Sequence, residues 1–191
     1  MANLQLGNKT VVTQTGSADP VLASNVNLGS ATFPAGHIVQ VESASFNGIQ
    51  TLQNADEVDV TNLSCSMTIF SGNKILIIAN VICGRDIDSY GSLNITDGSN
   101  NIIYQNSTAS GSQISASMAI ANRGSSSGDQ YYTDQHSFNY LWTPGYTDIT
   151  VKVRGRSVYL NNIYINKPAN DTSANWHIRS TSSLTIMEIQ S

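Results

Sequence analysis

The residues best able to do chemistry are three histidines, two cysteines and a few acidic pairs, and their spacing limits what they can do together. His37, His136 and His177 lie far apart on three different elements, and His136, on an aromatic stripe, reads as a packed core histidine rather than a catalyst. Asp56-Glu57 and Asp86-Ile87-Asp88 have the oxygen ligands a hard cation prefers, yet short acidic pairs near loops are commonly solvated turn residues. Asp97-Gly98-Ser99-Asn100 lacks the spaced acids and terminal Glu of a calcium loop and reads as a turn. No GxSxG, HExxH, P-loop or GxGxxG pattern occurs. A glycan depolymerase needs two carboxylates flanking a groove, and no pair stands out by spacing. The expectation is a non-enzyme with no catalytic residue, no metal site and no cofactor.

Cys65 and Cys83 have no second pair to complete a zinc set and fall at inward-facing parity, so two buried thiols acting as small hydrophobes is the favoured reading over a disulfide. Trp176, flanked by Asn175 and His177 in the loop Asn166–His177, is the candidate for ligand contact. An exposed indole stacks on a sugar ring while an amide pairs with hydroxyls. The same tryptophan would serve equally as a plug beneath its own loop.

The elements that must position these residues follow from composition and period. Only 12% of the 191 residues are charged, nine Lys or Arg against thirteen Asp or Glu, for a net charge of −4. So few cations make nucleic acid an unexpected partner. No run of 18 apolar residues suits a membrane span, and Met1–Lys9 lacks the charged and apolar regions of a secretory signal. Synthesis in a cytosol is expected. Ser, Thr and Asn make up roughly a third of the chain, which favours strands and turns over helix surfaces.

From His37 onward, apolar residues alternate with polar ones between turn signals. Ile149, Val151 and Val153 alternate with Thr150, Lys152 and Arg154; Leu63, Cys65, Met67 and Ile69 alternate with Ser64, Ser66 and Thr68. Tyr132, His136, Phe138, Tyr140 and Trp142 share one parity. Nine or ten such strands without a helix predict an all-β antiparallel sandwich of jelly-roll type over residues 36–191.

Residues 1–35 differ, with two charges, scattered apolar side chains and frequent turn formers. They read as an extended docking arm, with Leu4, Leu6, Val11, Val12, Val21 and Leu22 as the residues that would dock. Two strands break the rule that one face of a sandwich strand is wet. In 74–83, Ile75, Ile77 and Val81 oppose Leu76, Ile78 and Ile82; in 184–190, Leu184 and Ile186 oppose Met187 and Ile189. A second apolar face needs a second cover, supplied by another subunit, by the arm or by long loops. Another subunit is the favoured reading, with Ile75, Leu76, Ile78, Leu184, Met187 and Ile189 at the interface.

The run Ser157-Val158-Tyr159-Leu160-Asn161-Asn162, followed by Arg179 to Ile189 with its Thr185-Ile186-Met187-Glu188-Ile189 end, resembles a family of tailed-phage virion proteins often labelled tail-fibre-like. Lys74-Ile75-Leu76-Ile77 matches the family's middle strand, and the likeness spans residues 37–191. The resemblance implies a β-sandwich that assembles as a homotrimer within a virion, put together in the host cytoplasm. A short arm ahead of the sandwich suits a decoration or cement protein bound to the major capsid protein. The rival expectation is a receptor- or glycan-binding module of a tail fibre, partnered by tail proteins and a host-surface glycan.

Overall fold

A computed structural model describes the whole chain except residues 1, 7–8, 15–20, 23–33, 54–55, 106–110, 112, 122–129, 159–161, 174 and 176. The chain divides into two compact units, Met1–Phe33 and Pro34–Ser191.

In the first unit, β1 (Ala2–Leu6), β2 (Lys9–Gln14) and β3 (Val21–Leu22) form a three-stranded antiparallel sheet in that order. The residues expected to run out as an arm therefore pair with one another. Leu4, Val12 and Leu22 fall in one row across the three strands, and Val21 lies opposite Thr13. Leu6 lies opposite Lys9, and Val11 is the extra residue where the register shifts between Leu4 and Gln5.

The second unit is the sandwich. Its strands are β4 (Ile38–Phe46), β5 (Gln50–Leu52), β6 (Val58–Thr68), β7 (Lys74–Arg85), β8 (Tyr90–Asp97), β9 (Met118–Ala121), β10 (Asp134–Trp142), β11 (Asp148–Ser157), β12 (Ile163–Ile165) and β13 (Ser182–Ile189). One sheet runs β6-β11-β8-β9. In the other, β7 pairs with β10 on one side; on the other side it pairs first with β13 and then with β12, which in turn pair with β4 and β5. That sheet is thus four strands wide.

All these pairings are antiparallel, and their nesting defines the topology. β8 pairs with β9, β7 with β10, β6 with β11 and β4 with β13, so the chain is one long hairpin rolled over into two sheets. That is a jelly roll, as the alternation predicts.

The core forms because period-2 side chains from both sheets meet. Ile75, Ile77, Ala79 and Val81 of β7 and Leu184 and Ile186 of β13 face Leu63, Cys65, Leu93, Ile95, Ile149, Val151 and Val153, all buried. Phe138 of β10 joins them, with Tyr140 and Trp142 packed against the margin. Tyr132 does not share this stripe: it precedes β10 and is 70% exposed. At Gly84 a Cβ would run into the backbone of Lys167, so only glycine lets the loop after β12 cross β7 at this distance.

Polar clasps close both ends. Glu188, fully buried, accepts hydrogen bonds from Gln40 Nε2 (2.7 Å), Phe70 N (2.7 Å) and Asn73 Nδ2 (2.6 Å). It ties β13 to β4 and to the turn joining β6 and β7. At the far end Asn166, in the left-handed region at φ 64°, donates to the carbonyls of Phe46 and Gly48 and accepts from Ser182 Oγ.

Candidate functional site

The outward sides of the two sheets differ in chemistry. On β6-β11-β8-β9 the rows are polar and paired. Thr68 donates to Asp148, and the hydroxyls of Ser66 and Thr150 lie 2.9 Å apart. Lys152 Nζ reaches Asn100 Oδ1 at 2.5 Å and Asp59 at 3.3 Å. Arg154 donates to Asp59 Oδ1 at 2.8 Å and to the Glu57 carbonyl at 2.7 Å.

On β4-β13-β7-β10 the outward side carries an apolar row. The register places Val41, Met187, Leu76 and Leu141 directly abreast across the four strands. Met187 and Leu76 are half-buried, while Val41 is 49% and Leu141 46% exposed. Ile38 and Ile189 pair beside this row at one end, and Ile78 sits in the next row with Ser43, Thr185 and Asn139. Beyond Ile78 the sheet turns polar through Ser45, Ser183, Asn80 and Ser137. The patch therefore occupies one end of one face.

Four of the six expected interface residues, Leu76, Ile78, Met187 and Ile189, belong to this patch. The other two are corrected. Ile75 and Leu184 are fully buried between the sheets, because strand parity turns them inward, and neither can reach a neighbouring molecule. Sequence parity alone did not reveal Val41, Ile38 and Leu141, since only cross-strand register brings them beside Leu76 and Met187.

Of the expected ligand residues, His177 lies in the segment that follows β12. Trp176 falls outside the described residues. Asn175 is exposed, and the half-buried His177 accepts from Thr172 N at 2.9 Å through Nδ1. Its ring stacks on Tyr131, with centroids 5.4 Å apart and an 18° tilt. Asn170 N donates to Gln130 O, which ties the two segments together. Hydrogen bonds from Arg179 hold the Asp171 carboxyl below its ordinary range, and Lys167 lies over the Tyr164 ring.

The other reactive types are placed as structure. Asp97 anchors its turn: Oδ1 accepts from Ser99 N and Asn101 N, and Oδ2 from Tyr146 and Asn101 Nδ2. Burial pushes the Asp97 carboxyl up, but these hydrogen bonds outweigh it and hold it below its ordinary value. His136 faces inward from β10; burial draws its imidazole down, opposed by Asp134 and reinforced by Arg85. Cys65 and Cys83 are free and buried, and burial pushes their thiols up to about 11 and about 12. A thiol held that firmly protonated is a poor nucleophile. Asp86 accepts from Tyr164 and from Asn162 N, which fixes β12. Among the described residues, no three His, Cys, Asp or Glu gather as a metal set.

The class these features define is an all-β antiparallel jelly-roll sandwich with one polar and one partly apolar outward face. No protein-family model matches the chain, and no curated protein matches it. Among solved structures, the structure of the Gx strain of infectious bursal disease virus aligns with 99% of this chain at 7% identity and a TM-score of 0.35. The chain spans 50% of the length of that chain, and a likeness at this level carries no argument.

Proposed function

We propose that this protein is a non-enzymatic structural component of a tailed-phage virion. In this reading it is a homotrimer fastened to the capsid shell through residues 1–35 as a decoration or cement protein. The observation that carries it is the row Val41–Met187–Leu76–Leu141 on the outward side of a sheet. On the opposite sheet the outward residues of β11, Asp148, Thr150, Lys152 and Arg154, are polar by contrast. Covering the side chains of the row stabilises an assembly by roughly 1 kcal/mol each, because about half of each is already out of water. Three copies turning this face toward a common axis cover all of it, and three weak attachments to a shell then act as one strong one.

The test is the mass of the full-length protein in solution. The expected value is three times 20.5 kDa, falling to 20.5 kDa when Leu76→Lys and Met187→Lys are combined. A monomer before substitution, or a trimer that survives both lysines, sinks the proposal. Deleting residues 1–33 should abolish shell occupancy and leave the trimer intact.

A second reading, a receptor- or glycan-binding tail-fibre module, is favoured by the Tyr131–His177 stack, which joins two loop segments into one ordered surface beside exposed Tyr132 and Asn175. Loss of binding on a glycan array after Tyr132→Ala would support it; an array with no signal would count against it.

A further inference from the structure

The inward side of β10 begins in a small charged cluster. His136 shares parity with the buried Phe138, and its Nε2 is shut off from water with no protein hydrogen-bond partner. In the pairing with β7, His136 stands opposite Val81 and Asp134 opposite Cys83, both buried. Arg85, two residues beyond Cys83, donates from Nη1 to Asp134 Oδ2, while its own Nε is likewise buried and unbonded. The cluster thus sets an imidazole beside a carboxylate that a guanidinium already holds. Among the described residues, β9, which packs against β10, brings Met118, Ala119, Ile120 and Ala121 and adds no charge. Cys83 adds none either, since burial keeps its thiol protonated up to about 12.

We propose that His136 is an acid-sensitive latch: neutral, it lets β10 pack against β7, and protonated, it loosens that pairing. An imidazolium carries an N–H on both ring nitrogens, and the one at Nε2 points where no protein acceptor lies. A buried donor without an acceptor is costly, and a charged one more so. Asp134 offers the compensating charge, but Arg85 holds its Oδ2 and opposes a second cation. Burial leads, and together with Arg85 it outweighs the pull of Asp134, so the imidazole is held below its ordinary 6.5. The unfolded strand therefore takes up the proton first. The stability that neutral His136 contributes is full above about pH 6.5 and is lost as the pH falls from there through the folded value. The loss falls on β10 because β7 holds it alone: no described strand pairs with its other edge. Such an edge opens locally before the sheet does. The latch lies within one chain and is independent of any assembly.

The test follows the full-length protein by hydrogen exchange and by NMR titration of the His136 ring. The ring should titrate below 6.5. Between pH 7.5 and pH 5.5, amide protection across Asp134–Trp142, corrected for the intrinsic exchange rate, should fall by up to about tenfold. His136→Leu, neutral at every pH, should abolish that acid loss. His136→Gln should do the same, and it keeps the test valid where the leucine variant fails to fold. Arg85→Gln leaves Asp134 free to pair with the imidazolium and should raise the titration point of His136. A ring that titrates at 6.5 or above overturns the proposal, as does an acid loss in β10 that persists undiminished in the folded His136 variants.

Discussion

The two outward faces of this sandwich are built on the same backbone and differ in what their side chains require. On β11, Asp148, Thr150, Lys152 and Arg154 each meet a cross-strand partner of complementary polarity, so that face is complete in water. On β7, Leu76 meets Met187 on one side and Leu141 on the other, and the contact ends in exposed carbon. Both sheets alternate with period 2 and bury the same kinds of Ile, Leu and Val inside. The difference lies only in the outward set. The inside of a sandwich records how the chain folds, while the outside records what it meets.

The largest effect is expected where the apolar face is held from beneath. Replacing Glu188 with Leu leaves the donors Phe70 N and Asn73 Nδ2 without this acceptor, while Gln40 Nε2 keeps only the Thr68 carbonyl. The cost should be about 3 kcal/mol or more, read as a lower urea midpoint. An unchanged midpoint would mean that the row is positioned by packing alone.

Next in size is the contrast between faces. Leu76→Lys with Met187→Lys should reduce the protein to a monomer, whereas Ser66→Lys with Thr150→Lys, in the matching place on the other sheet, should leave the mass unchanged. If both pairs dissociate the protein equally, the faces are equivalent and the comparison fails.

The sequence disclosed the sandwich because its strands are half-wet, and a half-wet strand writes its alternation plainly, as in Ile149 to Arg154. It disclosed less where tertiary context decides. Ile114, Ala116, Met118 and Ile120 also alternate with Ser115, Ser117 and Ala119, yet a strand forms only from Met118, where β9 pairs with β8 over four residues, Tyr90 to Leu93. β5 went unseen because three residues show no period. In 1–33, widely scattered hydrophobes suggested an extended run, yet Leu4, Val12 and Leu22 align only once the strands fold back. The apolar patch was half legible: parity identified Leu76 and Met187, but one strand cannot say which residues of the next lie beside it. Ile75 and Leu184 were misplaced because a two-faced strand does not tell which of its faces is inside.

The thiols offer a smaller test of how dry the space between the faces is. Burial raises Cys65 and Cys83 from 9.0 to about 11 and about 12, so the fold keeps protons that the unfolded chain releases. Their contribution is full below pH 9 and is lost as pH rises toward 12. The urea midpoint should therefore fall between pH 9 and pH 11, and fall less in Cys65→Ala with Cys83→Ala. Equal slopes would show that water reaches the thiols.

The smallest effect is expected on the charged face itself, where Arg154 contacts Asp59 and Glu57. Asp59 is 55% exposed, so solvent and salt screen much of the attraction. Arg154→Met keeps the aliphatic stem over the sheet and removes only the guanidinium. The change should cost under about 1 kcal/mol, should shrink further in 1 M salt, and should leave the mass in solution unaltered. A loss beyond about 2 kcal/mol, or a change in mass, would mean that this network holds the fold or the assembly together. The charged face would then carry stability or contacts of its own, and the contrast between the two outward faces would fail.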